Sequence, residues 1–133
     1  IMVGELKEKE CLTRDIKIHG FTQGPAGSLS PSTVYGSDQD SMEKLGSSLK
    51  EPWLSEKLHI LKSQVIWAVR HEMARSIEDV LARRTRALFL DARESLRIAP
   101  ETASMMAIEL GKDENWMANE NSRFEEIAGK YIL

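Results

Sequence analysis

From residue 64 to residue 131, apolar side chains recur at steps of three and four, and that period fits amphipathic helices rather than strands. Val65, Ile66, Val69 and Met73 make one such face, and Leu88, Phe89, Ala92, Leu96 and Ala99 a second. Ala103, Met106, Ala107 and Leu110 make a third, and Met117, Phe124, Ile127, Ala128 and Tyr131 a fourth. Trp67 lies off the first stripe and is expected to face a neighbour. The alternation that marks a half-buried strand occurs only briefly, at Ile16-Lys17-Ile18-His19.

Helix ends are marked in the sequence. Ser63 is a candidate N-cap for the helix that carries Val65. Ser76 followed by Asp79 reads as a variant of the capping box, opening a short helix with Ile77, Val80 and Leu81 inward. Asp79 precedes Arg83 by four, the favoured order for a helical ion pair. This helix and the next are expected to meet at a bend near Thr85. Pro100 is expected to end one helix and open another, because proline is tolerated in a first turn but not inside a helix. Gly111 is a C-terminal stop, and the last helix starts near Asp113. Asn119 and Asn121 lower the intrinsic propensity of that helix, so packing must support it. An earlier helix is expected from Ser37, with Asp38 and Asp40 at its positive end, finishing before Pro52. Trp53, Leu54, Leu58, Ile60 and Leu61 follow as an apolar connector over the core.

Residues 1–36 differ in kind. They hold five of the eight glycines and two of the four prolines, and Gly24-Pro25-Ala26-Gly27-Ser28-Leu29-Ser30-Pro31-Ser32 is turn and loop material. The expectation is an all-α fold: a small bundle of five to six helices over 37–133, with an irregular, partly extended N-terminal arm over 1–36. The opening Ile1-Met2-Val3-Gly4 reads as a point inside a longer chain.

At 133 residues the chain suits one domain with a tail. Its 18 basic and 21 acidic residues nearly balance, which speaks against a general nucleic-acid binder. One cysteine, Cys11, excludes an intrachain disulfide and reads as a small apolar residue at the edge of the fold. No stretch approaches the roughly 18 apolar residues of a membrane span, and no signal-peptide pattern opens the chain. A soluble, cytoplasmic domain is the expectation.

Motifs that carry chemistry fail on inspection. His71-Glu72-Met73-Ala74-Arg75 begins like a zinc-protease helix, but Arg75 stands where the second histidine must be. His19, His59 and His71 lie far apart. The glycines from Gly20 to Gly27 lack dinucleotide and nucleotide-triphosphate spacing and the strand–loop–helix context those sites need. No serine stands in a nucleophile elbow. No catalytic, cofactor-binding or metal-ligating residue is therefore assigned.

The concentrated feature is arginine. Between Arg70 and Arg97 there are seven arginines and no lysine, although the whole chain has nine of each. Arginine offers a planar fork of donors suited to bidentate pairing. Three readings are open. The arginines pair with Glu72, Glu78, Asp79, Asp91 and Glu94 and with helix C-terminal carbonyls; or some dock on an acidic surface of another domain; or they grip phosphate. The interleaved acids leave little net field, which favours the first. The structural or interdomain candidates are Arg70, Glu72, Asp79, Arg83, Arg84, Arg86 and Asp91.

The run from Val65 to Arg93 closely resembles the C-terminal domain of FAD-dependent, quinone-linked glycerol-3-phosphate dehydrogenases and the related alpha-glycerophosphate oxidases. The resemblance is carried by Trp67 followed by Arg70 and Glu72-Met73-Ala74-Arg75, by Glu78-Asp79-Val80-Leu81-Ala82, and by Arg83-Arg84-Thr85-Arg86 leading into Phe89-Leu90-Asp91-Ala92-Arg93. Met106-Ala107 and Glu109-Leu110-Gly111 resemble the family's next helix. The likeness covers roughly residues 50 to 133, with a looser match over Cys11 to Gly20. It implies a parent enzyme that oxidises sn-glycerol 3-phosphate to dihydroxyacetone phosphate with FAD, passes electrons to quinone and lies peripherally on the membrane. It implies that FAD and substrate are held upstream, with this domain, itself non-catalytic and without cofactor, stabilising or assembling the enzyme. The expected partner is that upstream domain, with a homo-oligomer as a further possibility through Trp53, Trp67 and Trp116. The alternative is an arginine-rich helical binding module for nucleic acid or protein, in which the helices joined at Thr85 resemble a helix-turn-helix.

Overall fold

The computed structural model describes residues 10–18, 20–21 and 31–132. Short 3-10 turns cover Leu12–Arg14 and Thr33–Asp38, and α1 spans Gln39–Ser47. A hairpin follows, with β1 at Trp53–Ser55 and β2 at Ile60–Leu61. Then come α2 (Lys62–His71), a π-helical turn (Asp79–Arg84), and α3 (Ala87–Leu90). The long α4 (Ala92–Leu110) and α5 (Glu114–Gly129) complete a mostly helical bundle.

The core lies where α4 packs against α5 on one side and α2 on another. Val65 and Ala68 from α2, Ile77, Val80 and Leu81 from the π-helical segment, Ile98, Ala103 and Met106 from α4, and Phe124 and Ala128 from α5 meet there, all nearly inaccessible to solvent. Ala99, Ala103 and Ala107 recur every four residues on α4 and are buried, so neighbouring helices can approach closely. Burial of these stripes stabilises helices whose own propensity is modest, which is the support that Asn119 and Asn121 require of α5.

The helix ends follow the capping chemistry in most places. Asp113 accepts from the Trp116 amide at 2.9 Å and starts α5. Gly111 takes the left-handed conformation (φ 63°), and its amide and that of Lys112 both return to the Ala107 carbonyl. At α2 the cap differs from the one expected. Ser63 lies inside the helix and is buried; Gln64 accepts the Leu61 amide at 2.8 Å instead. The glutamine reaches back three residues, as the acceptor half of a capping box does, and leaves the serine free to pack.

Several expectations are corrected. The apolar connector is a two-stranded antiparallel hairpin, pairing Trp53 with Leu61 and Ser55 with Ile60. Its turn includes His59 at φ 53°, and Leu54 and Ile60 are buried. α1 starts at Gln39 rather than Ser37, and it stops at Ser47, before Pro52 as expected. Ile16 and Ile18 are exposed and form no strand among the described residues; His19 and the loop over 22–30 lie outside those residues. Met73 leaves the α2 stripe because the helix ends at His71, and Phe89 and Tyr131 point outward. Trp67 is buried rather than part of an exposed tryptophan patch, and Trp116 is packed partly against the core.

The largest correction concerns Pro100, which sits inside one continuous α4. Its ring faces solvent. On that side helical hydrogen bonds lengthen and the helix curves outward, so a missing amide costs least there. Ile98, Ala99, Thr102 and Ala103 on either side are buried, and the Thr102 hydroxyl donates to the Ile98 carbonyl at 2.9 Å. The burial on both sides outweighs the local defect. Among the described residues no helix is long and apolar enough to cross a membrane.

If burial alone carries the helix across Pro100, replacing it should help. Pro100→Ala restores the amide and removes the ring, and should raise stability by about 1–3 kcal/mol. Urea unfolding followed by circular dichroism measures this, and a loss of stability would show that packing requires the proline's bend.

Candidate functional site

The arginine-rich segment runs from the end of α2 into the second turn of α4, and side chains tie the end of α2 and the starts of the π-helical turn and of α4. At the C-terminus of α2 the amides of Glu72 and Ala74 both donate to the Ala68 carbonyl. Met73 between them adopts φ 56°, a left-handed conformation that costs a non-glycine residue about 1–2 kcal/mol. Arg75 caps the same end, its Nη1 donating to the carbonyls of Val69 (3.1 Å) and Ala74 (2.8 Å).

Asp79 holds the start of the next helix. Its Oδ2 accepts from the backbone amides of Arg75 and Ser76, each at 3.0 Å, while the Ser76 hydroxyl accepts from the Asp79 amide at 3.2 Å. This is the reciprocal box expected from Ser76 and Asp79. Glu120 of α5 adds a fourth tie, accepting from the Ile77 amide at 3.0 Å. Burial pushes the Asp79 carboxyl up, but the Arg75 and Ser76 bonds and the Arg83 charge outweigh it, and its pKa falls below the ordinary value.

Among the arginines, Arg83 donates to Asp79 at 2.6 Å and to Glu78 at 2.8 Å, with its own side chain 58% exposed. Arg84 reaches the Glu72 carbonyl at 2.6 Å and the Glu72 carboxylate at 3.2 Å, bracing the Met73 turn. Arg70 forms a bidentate pair with Glu109, at 2.6 and 2.8 Å, and ties α2 to α4. This bond raises the Arg70 pKa. Arg97 pairs in the same forked way with Glu94. Asp91, expected among the arginine partners, instead caps α4 through the Glu94 amide and takes Lys57 as its ion pair. The Lys57 bond lowers the Asp91 pKa. Arg86 is exposed at φ 58°, and no carboxylate pairs with its side chain among the described residues.

Glu109, Glu120, Lys57 and Ser55 are the partners that sequence reasoning missed. Each lies more than thirty positions from the group it meets, as Arg70 and Glu109 do at a separation of 39. Local spacing carries no trace of such pairs; Glu109 was marked only by the resemblance.

Two cavities border the segment. A shallow one of about 260 Å³ is lined by Tyr35, Asp38, Trp67, His71 and Glu72 among others. His71 stacks on Trp67 at 4.0 Å, and burial pushes the Tyr35 hydroxyl up. A wider groove of about 660 Å³ runs past Lys50, Trp53, Lys57, Glu94 and Arg97. Neither fits FAD by the usual dinucleotide mechanism. The two described strands form a hairpin rather than a parallel strand–loop–helix unit, and no described glycine stands between a strand and a helix N-terminus. Among the described residues no three potential ligands converge as a metal site.

The exposure of Arg83 fixes what its loss should cost. Arg83→Ala should destabilise by no more than about 1 kcal/mol, as exposed pairs do. Asp79→Ala removes the helix cap and should cost about 1–2 kcal/mol. Thermal melts of both variants check the order, and an equal or reversed cost would show that the cap is not what holds this segment.

Glu94 supplies a pH signature. Hydrogen bonds from Arg97 and from the Ser55 hydroxyl (2.6 Å) lower its pKa from 4.5 to about 2. The folded value lies below the unfolded one, so this stabilisation is present above pH 4.5 and is lost as pH falls toward about 2. Glu94→Gln should flatten the melting temperature across that window; parallel curves for variant and parent would rule the linkage out.

Comparison with known proteins agrees with this architecture in one respect and is silent in two. No curated protein and no solved structure matches the chain. A family model does match, over residues 20–117, and its description is the C-terminal domain of alpha-glycerophosphate oxidase. The match begins before α1 and ends in the first turn of α5, so it starts and stops earlier than the resemblance over 50 to 133. With most of its length matched, including all of the arginine-rich segment, the chain belongs to the family of alpha-glycerophosphate oxidase C-terminal domains.

Proposed function

We propose that this chain is the non-catalytic C-terminal domain of an FAD-dependent enzyme that oxidises sn-glycerol 3-phosphate to dihydroxyacetone phosphate and passes electrons to quinone. The observation that carries the reading is the family match across the arginine-rich segment. The fold supports it in a second way: its side chains are committed to holding helices together, and its described residues do not suit a dinucleotide. FAD and substrate belong, on this reading, to an upstream domain of the same chain. Residues 37–133 are the helical unit, and residues 1–36 are the arm arriving from that domain. Arg70, Glu72, Asp79, Arg83, Arg84 and Asp91 fix the helices against one another, which stabilises the unit that the catalytic part packs on. Arg86 is left for contact between the two. The parent lies in the cytoplasm, peripherally on the membrane.

Local compensation also weighs against phosphate binding by the arginine run. Arg70, Arg83, Arg84 and Arg97 each face a carboxylate at 3.2 Å or less, so little of their charge is open to an anion.

Mixed with FAD, glycerol 3-phosphate and a dye acceptor, the purified 133-residue chain should give no turnover, while the full-length enzyme that carries it should reduce the dye. Turnover by the isolated chain would reject the accessory role, and a full-length enzyme inert toward glycerol 3-phosphate would reject the substrate.

A further inference from the structure

Two glycines bring distant stretches of backbone together. Gly36 lies at a kink in the 3-10 turn over Thr33–Asp38, with φ 55° and ψ −120°. These are the dihedrals of the first central residue of a type II′ turn, a position that glycine dominates. A β-carbon there would overlap the Gly20 carbonyl oxygen and stand 2.7 Å from the carbonyl carbon and 3.3 Å from the Gly20 α-carbon. Gly20 is itself left-handed at φ 78°. A β-carbon on Gly20 would lie 3.7 Å from the Tyr35 carbonyl oxygen, an ordinary contact. The close approach therefore depends on the missing side chain of Gly36.

The turn against which Gly20 rests is itself fastened to two helices. The Tyr35 ring meets the buried Trp67 of α2 edge-on at 6.4 Å, and the Tyr35 hydroxyl accepts from Gln64 Nε2 at 3.4 Å. The Tyr35 amide donates to the Ser32 carbonyl at 3.0 Å, and the buried Ser32 donates its hydroxyl to Glu43 of α1 at 2.9 Å. Residues 10–18, by contrast, are exposed throughout, and the family match begins at residue 20. A glycine-rich connector ordinarily leaves its ends free over a range that grows with its length. Gly20 and Gly36 do the opposite, because the side chain that Gly36 lacks is the one that would hold the two backbones apart.

We propose that Gly20 and Gly36 form a clasp that fixes where the chain enters the helical unit, so that the arm meets this unit at one set place and is not a free tether over residues 1–36. This rests, for what precedes the arm, on the reading above that a catalytic part lies upstream; the clasp itself is a property of this chain. Freedom between the two parts is then confined to the residues before Gly20. Gly36 is the positioning residue, and Tyr35 carries its hold to α2.

Double electron–electron resonance on the 133-residue chain tests the clasp. Cys11→Ser removes the one cysteine. Nitroxides are then placed through Phe21→Cys, next to Gly20, and Ser104→Cys, exposed on α4. One narrow distance is expected, and a broad distribution overturns the clasp. Gly36→Ala should widen the distribution about twofold or more, as for an unfastened chain end. Gly111→Ala is the control for backbone strain, since Gly111 is also left-handed (φ 63°) but has nothing within 4 Å of a β-carbon. It should leave the width unchanged. Equal widening in both variants overturns the clasp, and so does an unchanged width in Gly36→Ala. Tyr35→Ala leaves Gly36 its own conformation and should also widen the distribution, so the test does not depend on Gly36→Ala folding; an unchanged width there overturns the fastening to α2. In the full-length enzyme the same pair should give the same narrow distance, and a different one shows that the upstream part sets the entry point instead. Glycerol 3-phosphate oxidation is read separately on that preparation, and its absence sinks the substrate reading without touching the distance.

Discussion

A helix that begins in the middle of a compact domain leaves its first amides without intrahelical partners, and buried amides must find others. At residues 75–79 these partners come from three side chains. Ser76 and Asp79 satisfy each other's amides, Asp79 also takes the Arg75 amide, and Glu120 reaches across from α5 for Ile77. The arrangement fixes where the chain turns after α2. It thereby delivers Ile77, Val80 and Leu81 to the core. It also decides which residues are left outside: Met73 on the turn before, and Arg86, Phe89 and Leu90 on the turn after. The local hydrogen bonds and the external face are thus two consequences of one constraint.

What the sequence made legible follows from the range of each interaction. The capping box, the Asp79–Arg83 pair and the Gly111 stop are all made within four residues, and spacing alone marks them. The family resemblance rests on the ordered run from Val65 to Arg93, which lies within the matched residues 20–117. The helix through Pro100 was not legible, because a local rule was outweighed by burial on both sides of α4. The hairpin at Trp53 and Ile60 was hidden for a related reason: two strands of three and two residues are too short to show a period. Met73, Phe89 and Tyr131 kept the helical period yet point outward, since each stands at or beyond a helix end where the period no longer sets direction. As for the candidate residues, spacing placed Arg83 beside Asp79, but it could not find Glu109 for Arg70 or Lys57 for Asp91.

The absence of lysine between Arg70 and Arg97 has a geometric cause in these contacts. Arg70 and Arg97 each set two nitrogens against two carboxylate oxygens. Arg75 divides one nitrogen between two carbonyls, and Arg84 spans the carbonyl and carboxylate of a single residue. Arg83 bridges two acids. Each task needs donors fixed in a plane, and a lysine ammonium is a point charge on a flexible stem. Lysines occur where one contact or loose geometry suffices, as at Lys57 on Asp91 and Lys62 between Glu51 and Glu101. Arg86 performs none of these tasks among the described residues, and its side chain is exposed.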